Sequence, residues 1–389
     1  MRVVPGGEIR ARIEALQARL SARGLRGALL NGRVDRFYLS GTAQEGLLWV
    51  GCDGDPRLFV LRDVARAKEE TPFEVIPVAG WRGLWGRARE VAAAGGVGLT
   101  LDALTALDLL RLDLHDPAAA HDVTPDLLAL RARKSPWEVE RMEEAGRVAA
   151  DVYRLAAHVL RPGLTEAQFA GQLFARAMEL GHEGILRTRG GFEAYSWHVL
   201  SGPNTRKAGA VDTPMSGEGL SPAFPWGAGR RVIGQGEPVI VDFGVSVFGY
   251  ATDQTRTFCI GSAPQWLLDA HGAVLEVHRR MAESLVAGVA AGEVFTRGEE
   301  EAHALGLSGY LGPPESRCRF VGHGVGLEVV EPPLIVAGST SMVGASSTVA
   351  LEPKAVVGDL GGVGVEDTFL VGPEGARPLS GIPLELIRV

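Results

Sequence analysis

Four carboxylates lie inside runs of the chain that otherwise read as buried strands, and they come as two pairs of one design. An apolar strand, Val239-Ile240-Val241, ends on Asp242, and Asp253 follows eleven residues later inside a second strand-like run. A hairpin turning near Val247-Phe248 would set the two aspartates opposite each other on one face, because strand side chains alternate with period two. Glu352 interrupts the apolar run Val-Ala-Leu-Glu-Pro-Lys-Ala-Val-Val, and Glu366 sits in another fourteen residues later, with Gly358, Gly361 and Gly362 marking the turn between them. Singly, such residues read as strand-end caps or solvated positions. Paired inside apolar strands they call for a cation or a proton, since a buried charge without a partner is costly.

One histidine joins them. His323 stands between glycines in Phe320-Val-Gly-His323-Gly-Val-Gly-Leu-Glu-Val-Val-Glu331, a setting that none of the other eight histidines shares. Oxygen-rich ligands with one imidazole suit divalent ions such as Mn²⁺, Co²⁺ or Zn²⁺. Two such ions, about 3.5–4 Å apart, can activate a bridging water and polarise a carbonyl for hydrolysis.

The length of 389 residues predicts two domains or one large one. Acidic residues outnumber basic ones, 47 to 39, which argues against a protein living on phosphate contacts to nucleic acid. The three cysteines show no CxxC spacing, so neither a disulfide framework nor a zinc–thiolate site is expected. No signal-peptide pattern and no run of 18 apolar residues is found, so the expectation is a soluble, cytoplasmic protein. Residues 8–23 carry Ile9, Ile13, Leu16 and Leu20 at helical spacing, with Gly24 as the stop. Short apolar runs follow at Ala28–Leu30, Phe37–Leu39, Leu47–Val50, Leu58–Leu61, Val75–Val78 and Val97–Leu99, and they predict an α/β domain over residues 1–132. Ser135-Pro136-Trp137-Glu138 has the form of a capping box with proline at the first helical position, as a second domain over residues 133–389 would begin. Within that domain, the turn and capping box at Leu160–Gln168 find an echo in Val289–Glu299, with Thr296 in the place of Thr165. Such a repeat would pack two helix-pair-plus-sheet halves about a shared central site.

The order Asp242, Asp253, His323, Glu352, Glu366 resembles that of the pita-bread metallopeptidases: methionine aminopeptidase, aminopeptidase P and prolidase. The surrounding words VDFG, TDQTRTF, GHGVGLEVVEPP, LEPK and GVEDTFLV, and the junction phrase ARKSPWEVERM, resemble the proline-specific branch. The resemblance covers nearly the whole chain. It implies a creatinase-like α/β N-terminal domain before an α+β pita-bread catalytic domain of two pseudo-symmetric halves. It also implies two divalent ions (Mn, Co or Zn) held by all five residues. Asp253 and Glu366 would bridge both ions, Asp242 would bind one, and His323 and Glu352 the other. Glu352 would serve as general base, Thr255 and Thr368 would support the ligands, and Arg256 would hold nearby carboxylates or substrate. The implied activity is hydrolysis of short peptides, in the manner of an Xaa-Pro dipeptidase or aminopeptidase P, by a homodimer.

The chain departs from that pattern where substrate should bind. A histidine usually follows the serine of a Ser-Gly-x-Asn phrase by eight residues. After Ser201-Gly202-Pro203-Asn204 that position is Gly209. A second histidine usually follows the metal histidine by seven residues, and here it is Val330. Further, 33 residues separate Gly209 from Asp242, about twice what the family uses, so residues 210–231 are expected to form an ordered loop by the site. His198 is the candidate to replace the missing histidines, in the strand-like run Ser196–Leu200. Arg206, Lys207, Arg230 and Arg231 are the candidates to receive a substrate's C-terminal carboxylate. The expectation is therefore a peptidase of altered specificity. The alternatives are a peptidase reading the substrate C-terminus, a creatinase-like or lyase enzyme on the same fold, or an inactive binding protein.

Overall fold

The computed structural model describes residues 2–93, 95–113, 120–190, 197–209, 212–307, 309–313 and 316–389. The chain divides into two compact units, one of Met1–Arg131 with Arg189–Gly191, the other of Ala132–Thr188 with Phe192–Val389.

The first unit is α/β. Its six-stranded mixed sheet runs, edge to edge, Glu74–Pro77, Arg57–Val60, Gly46–Gly51, Gly27–Leu30, Val97–Leu99 and His121–Asp122. The opening helix is Gly6–Ala22, and its predicted stripe of Ile9, Ile13, Leu16 and Leu20 is buried. Gly24, at φ 68°, takes the left-handed turn that ends it. Five of the six short apolar runs are strands. The sixth, Phe37–Leu39, lies in the helix Arg33–Ser40. Three apolar residues do not distinguish a strand from one turn of a buried helix. Gly41 settles the matter by capping the helix at φ 80°, while the Ser40 hydroxyl donates to the Arg36 carbonyl.

The second unit holds two small two-stranded sheets and two larger ones. One runs Ile387–Arg388, Thr255–Cys259, Pro238–Phe243, Trp197–Ser201, and the other Glu331–Val336, Phe320–Gly324, Thr348–Leu351, Asp367–Val371, Ala376–Pro378. The predicted capping box is formed: Ser135 accepts from the Glu138 amide, Glu138 accepts from the Ser135 amide, and Pro136 opens the 24-residue helix Pro136–Val159. That helix pairs with Glu166–Glu179, and Gln265–Ser284 pairs with Ala291–Ala304. Each pair lies over its own hydrophobic core, around Tyr153, Phe169 and Phe243 in one half and Met281, Phe295 and Phe369 in the other.

The internal repeat is present but in a different register. Thr165 caps its helix as expected, through Gln168. Thr296 is not a cap: it lies inside the helix Ala291–Ala304, bonded to the Gly292 carbonyl four residues back. The residue matching Thr165 is Ala290. Both precede a helix, both form an isolated bridge (to Val232 and to Met342), and both follow a glycine at nearly the same angle, Gly163 at φ 90° and Gly288 at φ 93°. A left-handed turn needs glycine in both halves, whereas a cap can be dispensed with.

The halves meet backbone to backbone. The Thr255 amide donates to the Glu366 carbonyl at 3.2 Å, and the Glu366 amide returns to the Thr255 carbonyl at 3.1 Å. This bridge joins the start of the strand Thr255–Cys259 to Glu366, immediately before the strand Asp367–Val371, and it fixes where the carboxylates converge.

Candidate metal centre

Both carboxylate pairs sit where a long ladder gives way to a small hairpin. Thr255–Cys259 pairs with Pro238–Phe243, with Thr255 opposite Asp242. The short hairpin Val245–Val247 with Tyr250–Thr252 follows, turning at Phe248 and Gly249, both at positive φ. Asp253 lies at the break between the two ladders. The aspartates are therefore diagonal neighbours rather than opposite ones: the turn falls one residue past the expected place, and the break shifts the register. In the other half, Leu351 opposes Asp367, so Glu352 and Glu366 stand just past the end of that ladder, and a second small hairpin pairs Lys354–Val357 with Gly361–Gly364.

The five sequence-predicted ligands are brought together. Ligand atoms of Asp253, His323 and Glu366 all lie within 4.8 Å of one another. His323 Nε2 is 3.5 Å from Glu352 Oε1, while its Nδ1 donates to the Gly324 carbonyl at 3.0 Å, which leaves Nε2 to face the carboxylates. Asp242 joins through Lys354. The supporting threonines cross between halves. Thr255 Oγ1 donates to Glu366 Oε2 at 2.7 Å, and the Asp253 amide donates to Thr368 Oγ1 at 2.9 Å. The Tyr153 hydroxyl clamps the strand ends, 2.9 Å from the Val241 carbonyl and 2.5 Å from that of Gln254.

Burial, and after it the neighbouring aspartates, push the Asp253 and Glu366 carboxyls well above the usual range: Asp242 acts on the first and Asp253 on the second. Glu366 Oε1 is buried with no hydrogen-bond partner. A buried carboxylate oxygen left open, on a glutamate with a ligand atom within 4.8 Å of those of Asp253 and His323, is the environment a divalent cation completes. The donor set therefore fits a metal ion at Asp253, His323 and Glu366.

Lys354 was not singled out in the sequence, and it lies at the centre of the site. Its Nζ is 2.9 Å from Asp242 Oδ2, 2.8 Å from Glu352 Oε2 and 3.4 Å from Glu366 Oε2, and the side chain is 2% exposed. Burial alone would lower its pKa, but Asp242, Glu352 and Glu366 together outweigh burial and hold it well above the usual lysine value. A lysine inside an apolar strand, one residue past Glu352-Pro353, was the available signal.

The remaining candidates separate. His198 lies directly opposite Asp242 in the ladder of Trp197–Ser201 with Pro238–Phe243, so the fold does bring it beside the carboxylates. Burial lowers its pKa, against the pull of Asp242. Ser196, at the start of its predicted run, lies outside the described residues. Arg256 has no N–H left over for a substrate. It is fully buried, and its five N–H donors go to the carbonyls of Pro383, Thr255, Glu366 and Ile382 and to Asp367 Oδ2. Its work is to fix the strand that carries Glu366. Arg231 pairs with Glu237, both N···O distances 2.6 Å, and donates to Ser201 Oγ, so it too is committed to structure. Arg206 bonds Asp359, Lys207 pairs with Glu218 at 2.9 Å, and Arg230 is exposed.

Glu166 is a second residue that sequence reasoning passed over, since a glutamate in the first turn of a capped helix usually faces water. Here it is buried and accepts from the Ser201 amide and hydroxyl, Asn204 Nδ2 and the Gly229 amide, all at 2.7–2.9 Å. It thus ties the Ser-Gly-Pro-Asn phrase to the end of the long loop.

That loop is ordered by its own bonds among the described residues, Ala210 and Val211 lying outside them. The Ser216 and Gly217 amides donate to the Lys207 carbonyl, the Gly227 amide donates to the Ser216 carbonyl, and the rings of Phe224 and Trp226 pack 4.4 Å apart, tilted by 40°. Its fold explains the missing histidine. A Cβ built on Gly209 would fall on the Ser216 side chain and 3.1 Å from the Pro225 carbonyl oxygen. Gly209→His is therefore expected to lower stability by about 1–3 kcal/mol, the usual range for overpacking, without raising kcat. A thermal melt and a peptide assay check this; a faster and equally stable variant would show that the loop leaves room.

The family model for Metallopeptidase family M24 matches residues 140–373, and that for the Creatinase/Prolidase N-terminal domain matches residues 12–133. Among curated proteins, the Xaa-Pro dipeptidase of Pyrococcus furiosus is 24% identical, over 97% of this chain and 100% of its own. The probable dipeptidase PepE of Mycobacterium tuberculosis is 27% identical, over 98% and 97%. Among solved structures, the dipeptidase PepE from Mycobacterium ulcerans aligns over the full length of both chains with a TM-score of 0.81 and 25% identity. The Xaa-Pro dipeptidase from Bacillus anthracis aligns over 98% of this chain and 100% of its own, with a TM-score of 0.82 and 24% identity.

Proposed function

We propose, because this chain belongs to metallopeptidase family M24, that it hydrolyses short peptides at the centre formed by Asp242, Asp253, His323, Glu352 and Glu366, as an Xaa-Pro dipeptidase or a close variant of one. The observation that carries this reading is the convergence of Asp253, His323 and Glu366, with Glu352 beside His323 and a buried Glu366 oxygen left without a hydrogen-bond partner. When bound, a divalent ion (Mn, Co or Zn) supplies Lewis acidity, polarising the scissile carbonyl and lowering the pKa of water. The protein's own groups do the rest. Asp253, His323 and Glu366 would hold the ion, with Thr255 and the His323–Gly324 bond fixing the orientation of the ligands. Glu352 would take the proton released as water attacks and pass it to the leaving amine. His198, beside Asp242, would face the substrate where Gly209 and Val330 supply no polar side chain.

No helix among the described residues is long and apolar enough to cross a membrane. Three free cysteines support a cytoplasmic setting, and the homodimer rests on the family resemblance.

Specificity is where this chain would differ from its relatives. With Arg231 and Arg256 committed elsewhere, Arg230 is the remaining loop arginine able to receive a substrate carboxylate. The test is to compare a dipeptide with its C-terminal amide, in wild type and in the His198→Ala and Arg230→Ala variants. The expected result is a preference of about tenfold or more for the free acid, given about 1.4 kcal/mol per decade for one charge-assisted contact, shrinking in Arg230→Ala. His198→Ala should lower kcat for both substrates. Equal rates on acid and amide would remove carboxylate recognition. Metal bound without turnover of any peptide would favour the binding-protein reading, and turnover of a non-peptide amidine or carbon–nitrogen substrate the creatinase-like or lyase one.

A further inference from the structure

We propose that the Lys354 ammonium takes the place of one metal ion, so that this centre holds one divalent ion where the ligand set would otherwise hold two. The inference rests on the metal-centre reading above and deepens it. Three features carry it. The ammonium contacts Asp242, Glu352 and Glu366 at 2.9, 2.8 and 3.4 Å, so it sits among the carboxylates as a cation would.

The slot for its stem is built. Lys354 pairs across the small hairpin with Gly364, where an added Cβ would stand 2.9 Å from Lys354 Cγ. Met215 of the long loop closes the same space, its Cε 3.1 Å from that Cβ position. A long side chain held between a glycine and a methionine, 2% exposed, is not a surface lysine that has strayed inward.

Asp253 and His323, which Lys354 does not bond, share a smaller site with Glu366: ligand atoms of the three lie within 4.8 Å of one another, and Glu366 keeps its Oε1 without a hydrogen-bond partner. A second divalent ion would have to share the Asp242, Glu352 and Glu366 oxygens with an ammonium at contact distance.

The experiment is a metal count, independent of turnover. Metal-free wild type and the Lys354→Gly, Lys354→Met and Lys354→Arg variants are titrated with Mn²⁺ by calorimetry, and bound metal is measured after gel filtration. The manganese resonance spectrum is recorded at saturation. Wild type and Lys354→Arg are expected to bind one equivalent and to give the six-line signal of an isolated Mn²⁺. Lys354→Gly and Lys354→Met are expected to bind two and to give a broadened, spin-coupled signal. Two coupled equivalents in wild type overturn the inference whatever the variants do. One equivalent in folded Lys354→Gly and Lys354→Met, judged by circular dichroism, overturns it as well. One equivalent in wild type with two in either neutral variant upholds it, whether or not any peptide is cleaved.

Discussion

Replacing Glu366 by glutamine is expected to remove metal binding and peptidase activity together, while leaving the metal-free protein at least as stable as wild type. The last part separates this variant from a merely damaged one. Glu366 is 1% exposed, and burial and then Asp253 both oppose its charge, so a neutral amide of the same shape relieves repulsion in the empty site. Thr255 Oγ1 still finds an oxygen to donate to. The amide cannot, however, supply the charge that a divalent ion requires at the open Oε1 position. Metal at about 100 times its Kd should stabilise wild type by about 2.7 kcal/mol and Glu366→Gln by nearly nothing. Losing Lewis-acid stabilisation of several kcal/mol should cost about 10³-fold or more in kcat/KM. Asp253→Asn should behave alike. A Glu366→Gln protein that keeps both its metal-dependent melting shift and its turnover would remove Glu366 from the centre.

What the sequence made legible follows from which interactions are local. The capping box at Ser135–Glu138 and the stripe of Ile9, Ile13, Leu16 and Leu20 are each written within a few residues and formed as read, and the turn expected near Val247-Phe248 falls one residue on, at Phe248-Gly249. The five candidate ligands were legible for a different reason, since charges interrupting apolar strands are hard to explain otherwise. The misreadings concern what only the assembled fold decides. Phe37–Leu39 became helical because of its flanking Gly41. Asp242 and Asp253 became diagonal because the ladder breaks at Asp253. Arg256, read as holding nearby carboxylates or substrate, does hold the Asp367 carboxylate, but its other donors go to carbonyls up to 127 positions away, and no local pattern announces them. Glu166 was hidden in the same way, gathering Ser201, Asn204 and Gly229 from distant parts of the chain. Lys354 differs from these. It was readable, being a charge in an apolar strand like the carboxylates beside it, and the reasoning that picked out Glu352 applies equally two residues later.

The second large effect is that of the metal itself, and it bears on the central claim that the converged carboxylates and His323 are a hydrolytic metal centre. Wild-type protein is stripped with a chelator, dialysed, and assayed on a panel of Xaa-Pro and other dipeptides and tripeptides, before and after adding Mn²⁺, Co²⁺ or Zn²⁺. Products are read by mass spectrometry to identify the bond cut. The stripped protein should be inactive within detection. An added ion should restore cleavage of at least one short peptide by about 10³-fold or more, the several kcal/mol expected of Lewis-acid catalysis. Hydrolysis that proceeds unchanged in the stripped protein, or a fully metal-loaded protein that cuts nothing on the panel, would contradict the account.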